Sequence, residues 1–257
     1  MIEFRLGTHV RLGAEALTVL DQFADRRVLV VTDGFLSTTD VFAEVVRRLG
    51  DPVVYSEVIP NPTIEAVGQG VTAYPMARPQ VVVAYGGGSV IDTAKAMHKA
   101  ALDVGMGAEQ GLVAIPTTSG SGSEVTSYAV ITDEKTHAKI PIVSPDMVAR
   151  LAILDPKAVR SVPPKITADS GMDVLTHAVE AYVARLACDF SDAFAEKAVQ
   201  LVFANLERCF TNGDDMDARS HMHNASCMAA MAFDNVGLGI THSLAHALGG
   251  RYPIAHG

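Results

Sequence analysis

Residues 81–96 read VVVAYGGGSVIDTAKA. An unbroken β-branched run meets Gly86, Gly87 and Gly88 and passes into a helical pattern from Ser89 or Val90. A strand without polar alternation is buried on both faces, which is the habit of parallel sheets. Glycines between strand and helix let a ligand approach the backbone, and the free N–H groups of the helix start attract an anion. The stretch is neither GxGxxG nor the lysine-ending phosphate loop. A plain turn closed by a Ser89 cap uses the same residues equally well. Asp92 and Lys95 fall early in the helix, where spacing allows either a solvated or a locally paired role.

Outward from this unit the pattern repeats. Short β-branched runs lie at 27–32, 53–58, 80–85 and 112–115, separated by helix-like segments at 13–23, 38–49, 64–74 and 90–101. Such alternation predicts βαβ units with helices covering both faces of a parallel sheet. A less regular strand-rich stretch follows from 128 to 154. At 161–170, SVPPKITADS, the paired prolines Pro163 and Pro164 mark a boundary. Beyond it the β-branched runs almost vanish, and helices are expected at 167–184, 191–210, 217–235 and 240–248. The reading is an α/β domain over 1–160 followed by an all-helical domain over 161–257.

Composition bounds the function. The chain has 257 residues, 49% of them hydrophobic, so a substantial core is within reach. A formal charge of −9 argues against nucleic acid or an anionic membrane as partner, since both need a basic face. The apolar runs are too short to span a bilayer, and the N-terminus does not read as a signal peptide. Cys188, Cys209 and Cys227 share no metal-like spacing. Reduced core thiols are expected, as in a cytoplasmic protein.

A second glycine-serine segment, IPTTSGSGSEVTSYAVI, follows the strand at 112–115. Its hydroxyls, Thr117, Thr118, Ser119, Ser121, Ser123 and Thr126, suit a cradle for ribose, phosphate or a carboxamide. A mobile surface loop has the same composition. Asp33 ends the first strand in LVVTDG. A carboxylate there accepts hydrogen bonds from ribose hydroxyls and repels a 2′-phosphate, favouring NAD over NADP. The competing reading is a turn-forming Asp-Gly.

The helical half carries a different chemistry. In TADSGMDVLTHAVEAY, Asp173 and His177 are four residues apart and share one helix face. His242 and His246 repeat that spacing, and His256 returns from the loop beyond. Oxygen and nitrogen donors of this kind suit Fe²⁺, Zn²⁺, Mn²⁺ or Co²⁺. Five candidates exceed what a catalytic metal with an open position needs, and spacing alone does not say which stands aside. His221 and His223 lie on different helix faces and are read as non-ligands. CMAAMAF with Met222 reads as helix packing.

These blocks, in order and spacing, resemble the iron-containing (group III) alcohol dehydrogenases. GGGSVIDTAKA, AIPTTSGSGSEVTS, PPKITADSGMDVLTHAVEAY and GLGITHSLAHALGGRYPIAHG carry the resemblance over essentially the whole chain. HNASCMAAMAFDNVGLGITHSLAHALGG, VTDGFL and MIEFRLGTHV look closest to the propanol and ethanol dehydrogenases of bacterial propanediol and ethanolamine utilisation. The resemblance implies a Rossmann-like, dehydroquinate synthase-like fold with the active site between the two domains. It implies Asp173, His177, His242 and His256 as ligands of Fe²⁺, or of Zn²⁺, with His246 beside them as a proton-handling residue. It implies NAD as cofactor, held by Asp33, by Gly87, Gly88 and Ser89, by Thr117, Thr118, Ser121, Ser123 and Thr126, and bordered by Lys139 and Leu154.

Family members continue well past the position of His256, so the resemblance implies a helical domain that is incomplete at Gly257. Uncovered apolar helix faces would then favour a homo-oligomer. The implied reaction is hydride transfer between NAD(H) and a small alcohol or aldehyde, with association in a bacterial microcompartment as a further expectation. A catalytically silent nucleotide-binding protein is the alternative of another class. A related glycerol dehydrogenase or dehydroquinate synthase fits the HSLAHALGG block less well.

Overall fold

The continuous apolar runs assemble as one parallel sheet in the computed structural model, which describes residues 3–136, 138–252 and 256. Met1, Ile2, His137, 253–255 and Gly257, some of them within the motifs quoted above, lie outside the described residues. The first half contains β1 (His9–Leu12), β2 (Val28–Asp33), α1 (Asp40–Leu49), β3 (Val53–Val58), α2 (Ile64–Val71), α3 (Ala73–Ala77), β4 (Val81–Gly86), α4 (Gly88–Asp103) and β5 (Leu112–Pro116). It continues through β6 (Tyr128–Thr132), β7 (Lys139–Val143) and β8 (Leu151–Leu154). The second half is helical: α5 (Pro164–Tyr182), α6 (Asp189–Thr211), α7 (Met216–Val236) and α8 (Ile240–Arg251).

The sheet runs β1-β8-β5-β4-β2-β3, parallel throughout, and β6 pairs with β7 as a separate antiparallel hairpin. The chain moves outward from β2 to β3 and then crosses back to β4, so the strand order reverses beside β2. Open α/β sheets bind ligands at such a reversal, beyond the carboxyl ends of the strands. Asp33 and Gly86 are those ends. Side chains alternate between two cores: Leu29 and Val31 face α4 with Ile91 and Met97, while Val28 and Val30 face α1 with Phe42 and Val45. Thr39 and Thr63 cap α1 and α2 by accepting the N–H groups of Phe42 and Ala66.

Three local expectations are corrected. The helix expected over 13–23 is a 3₁₀ segment, Ala16–Phe23, because its buried side chains Leu17, Leu20 and Phe23 repeat every third residue. The helix expected over 64–74 breaks at Thr72 into α2 and α3, in a stretch weakened by Gly68 and Gly70. β1 was not foreseen; it is a short edge strand with a mostly exposed face.

In the second half, Pro164 opens α5 at a position where its missing N–H costs nothing. Alanines line the contact between α5, α6 and α7, among them Ala178, Ala181, Ala198, Ala225 and Ala229. Small side chains let these helices approach closely. Val125, Ala152 and Leu154 from the first half join the same core, so the two halves are packed together. α8 is different: His242 is its one buried residue. Among the described residues no helix is long and apolar enough to cross a membrane.

Candidate functional site

The i,i+4 spacing on α5 puts Asp173 and His177 on one inward face, and α8 brings His242 to meet them. Asp173 Oδ1 lies 3.9 Å from His177 Nε2, 3.5 Å from His242 Nε2 and 3.8 Å from His256 Nε2. Metal–ligand bonds of about 2.1 Å in a tetrahedron separate neighbouring ligand atoms by about 3.4 Å. The observed spacings are close to that edge length. Asp173, His177 and His242 form a compact group of potential metal donors. His242 Nε2 is buried and has no hydrogen-bond partner among the described residues, which is costly unless a ligand takes it up. The donor set therefore fits a divalent cation. His256 is the most open of the four, with 30% of its side chain exposed.

Charge reinforces the geometry. Burial pushes the His177 pKa down to about 4, keeping the ring neutral. Burial acts upward on Asp173, but the imidazoles of His177, His242 and His256 hold its carboxyl below the usual range. For His242, burial is outweighed by its contacts with Asp173 and Glu180, and the net shift is upward. Two carboxylates thus make this point favourable to positive charge. His246 lies on the next turn of α8, its ring 5.0 Å from that of His256. Burial first, then the positive fields of His256, Lys139 and His242, lower its pKa to about 4.

Glu180 escaped the sequence reading. Its Oε2 accepts from His242 Nδ1 at 2.6 Å and from the Gly239 N–H at 2.9 Å, while Oε1 accepts from the Thr241 N–H at 2.7 Å. Burial alone would raise this carboxyl, but those donors hold it down at about 2. One signal was available: positions 173, 177 and 180 follow i, i+4, i+7 and share a helix face. Phe233, part of the stripe read as helix packing, stacks its ring 4.5 Å from that of His177 and lines the cleft.

The donors open into a cleft of about 500 Å³ between the two halves. Gly88, Ser89, Ser121, Ser123, Thr126 and Lys139 line it on the side of the sheet, opposite Asp173, His177, His242, His246 and His256. A second cavity, of about 670 Å³, is lined by Asp33, Gly87, Gly88, Ser89, Thr117 and Thr118. Gly88 and Ser89 border both, so the strand–glycine–helix unit joins them. A Cβ on Gly88 would lie 2.8 Å from Ser121 Oγ, and one on Gly87 3.2 Å from Thr118 Oγ1. Side chains there would fill the cradle, so the site fits a ligand that runs close to the backbone. Asp33 Oδ1 accepts the N–H groups of Phe35 and Leu36, the turn-forming role, while the side chain still borders the cavity. Leu154 is in neither lining; it is buried in β8 within the helical core.

Asp92 and Lys95, left open by spacing, are paired and inward. Asp92 accepts from Ser123 Oγ and the Val130 N–H. Lys95 Nζ, fully buried, donates to the carbonyls of Thr126 and Tyr128 and to Thr126 Oγ1. The Thr126 hydroxyl is thus engaged with Lys95. His221 is half-exposed beside Asp217, whereas His223 is buried with Nδ1 3.1 Å from Ser119 Oγ. The three thiols are free.

Comparisons with known proteins agree with this arrangement. The iron-containing alcohol dehydrogenase family matches residues 7–156, and the C-terminal domain of the Fe-containing alcohol dehydrogenase family matches 167–257. The 1-propanol dehydrogenase PduQ of Salmonella typhimurium is 45% identical over 260 residues, covering 100% of this chain and 70% of that protein. Among solved structures, 1,3-propanediol oxidoreductase superposes with a TM-score of 0.93 at 32% identity, over 100% of this chain and 72% of its own. Sulfoacetaldehyde reductase from Bifidobacterium kashiwanohense, solved in complex with NAD+, gives 0.92 at 30% identity, over 100% and 73%. Both halves match in chain order, and the donor cluster sits where they meet: the chain belongs to the iron-containing alcohol dehydrogenase family.

Proposed function

We propose that this chain interconverts 1-propanol and propanal, with Asp173, His177, His242 and His256 holding Fe²⁺ and with His246 handling the proton. It is a metal-dependent, NAD(H)-linked oxidoreductase of small primary alcohols and aldehydes. The observation that carries the reading is spatial: the cation donors and the glycine cradle face each other across one cleft.

A divalent ion held there supplies Lewis-acid polarisation of a substrate oxygen, and nicotinamide supplies the hydride chemistry. The same nitrogen and oxygen donors accept Zn²⁺. The chain's own residues do the rest. Asp33 hydrogen-bonds the adenosine ribose, and Gly87, Gly88 and Ser89 receive the pyrophosphate at the start of α4. Thr117 and Thr118 border the adenosine side, while Ser121, Ser123 and Thr126 shape the nicotinamide side and Lys139 closes it. Phe233 offers an apolar wall for a short alkyl chain and excludes water beside His177. His246, kept neutral at physiological pH, accepts a proton from the substrate side and passes it toward solvent.

The division of labour falls near residue 160, with 1–160 for the cofactor and 161–257 for the metal. We read the active form as a homo-oligomer, supported by exposed apolar side chains such as Val183 and Phe203; light scattering checks it. The setting we propose is the cytoplasm, with a propanediol-utilising microcompartment as its finer location; the free thiols suit a reducing environment.

The test is anaerobic reconstitution with Fe²⁺, followed by metal analysis and NADH oxidation with propanal. Stoichiometric metal and turnover are expected. Metal far below stoichiometric together with no turnover refutes the proposal.

A further inference from the structure

We propose that Glu180 is the positioning residue of the metal site: its carboxylate fixes the His242 tautomer that presents a bare Nε2 to the cation. The inference rests on the reading of His242 as a ligand and extends it to a residue that touches neither metal nor substrate.

An ionised carboxylate only accepts hydrogen bonds. Glu180 Oε2 stands 2.6 Å from His242 Nδ1, so Nδ1 carries the hydrogen, and the neutral ring that can ligate a cation has its lone pair on Nε2. That Nε2 is buried with no hydrogen-bond partner among the described residues, 3.5 Å from Asp173 Oδ1. The carboxylate is itself fully engaged. Oε2 also accepts the Gly239 N–H at 2.9 Å, and Oε1 accepts the Thr241 N–H at 2.7 Å. Both oxygens therefore face donors, and an amide in place of the carboxylate would turn its NH₂ group against an N–H on one side or the other.

Position 239 is matched to the same contact, since a Cβ there would lie 2.7 Å from Glu180 Oε1. α8 buries no other residue than His242, so apolar packing does little to set its rotation. Glu180 does both jobs: it caps the first turn of α8 and orients the ring that the turn carries. Because it stands on α5 three residues after His177, the helix that supplies two ligands also aligns the third.

The test uses the full chain with Zn²⁺ as probe, in wild type and Glu180→Gln. Zn²⁺ affinity is measured by chelator competition, and ¹⁵N NMR of the chelator-treated proteins reads the His242 tautomer, assigned with His242→Ala. In the wild type His242 is expected as the Nδ1–H form. In Glu180→Gln a fraction shifts to Nε2–H and Zn²⁺ binds about 10–100-fold more weakly. Loss of a helix cap alone would lower stability and leave the tautomer unchanged. A wild-type His242 in the Nε2–H form overturns the proposal without any variant, should Glu180→Gln not fold. Equal Zn²⁺ affinity in the two proteins overturns it as well. A wild type that binds no Zn²⁺ instead removes the ligand set on which the proposal stands.

Discussion

Ser123 Oγ donates a 2.6 Å hydrogen bond to Asp92 Oδ1, tying the second glycine-serine segment to the helix that follows the first. Asp92 also holds the Val130 N–H, and Lys95, one turn on, holds the carbonyls on either side of Ser127. Burial pulls the Lys95 pKa down to about 8, against the offsetting charge of Asp92 in first place. Asp92→Ala removes that charge and leaves the Ser123 hydroxyl and the Val130 N–H without their acceptor, at an expected cost of about 1–3 kcal/mol in urea denaturation. A cost no larger than that of an exposed ion pair would refute the clamp.

His256 is the most exposed donor and His177 among the most buried, so the ligands are unequally anchored. His256→Ala is expected to weaken Zn²⁺ by more than the roughly 10–100-fold that a lost outer partner costs. NADH binding, followed by its fluorescence, should stay close to wild type, because Asp33, Gly87 and Thr118 line the other cavity. If nucleotide affinity falls in step with metal affinity, the two functions are not separable in this way.

Burial pushes the His223 pKa down to about 4, so the folded protein keeps this ring neutral. The unfolded chain takes up a proton first, near pH 6.5. Stability from this residue is therefore complete above pH 6.5 and declines as the pH falls toward 4, by at most about 3 kcal/mol. His223→Gln is expected to flatten the acid limb in that window, measured by urea denaturation in the presence of chelator. Parallel limbs for the two proteins count against the assignment.

The loop between β5 and β6 is bolted to α7. Gly122 has φ +62, and a Cβ there would fall 2.1 Å from Ala230 Cβ. Gly122→Ala should cost about 3 kcal/mol, combining a left-handed backbone at ~1–2 with overpacking at ~1–3. Gly105, which closes α4 with its N–H on the Leu102 carbonyl and the Met106 N–H on that of Ala101, also has positive φ but nothing within 4 Å, so Gly105→Ala isolates the left-handed backbone part at about 1–2 kcal/mol. Thermal unfolding of the pair decides it; equal losses would mean the contact with Ala230 carries no weight.

What was readable from residues alone follows the range of the interactions. β2, β4 and β5 were legible because burial on both faces demands unbroken apolar runs. β1 was not, because a short edge strand with one exposed face leaves no such run. The i,i+4 pair Asp173 and His177 was legible, being a local fact of one helix. Spacing did not separate His242 from His246 as donors; that required knowing which ring turns toward α5. Glu180 stayed hidden, and the role of Lys95 stayed open, for the same reason, since their partners lie far along the chain and meet them only in the folded protein.

α5 carries Asp173, His177 and the carboxylate that aligns His242, so two of the four donors and the alignment of a third are mounted on a single rod. Its exposed positions, such as Met172 and Val179, can vary without touching a donor directly, but any tilt of the rod moves Asp173 and His177 against His242 and His256. The pitch of one helix is thus a shared control: whatever changes it, through selection or engineering, retunes metal affinity and the gap to the glycine cradle together.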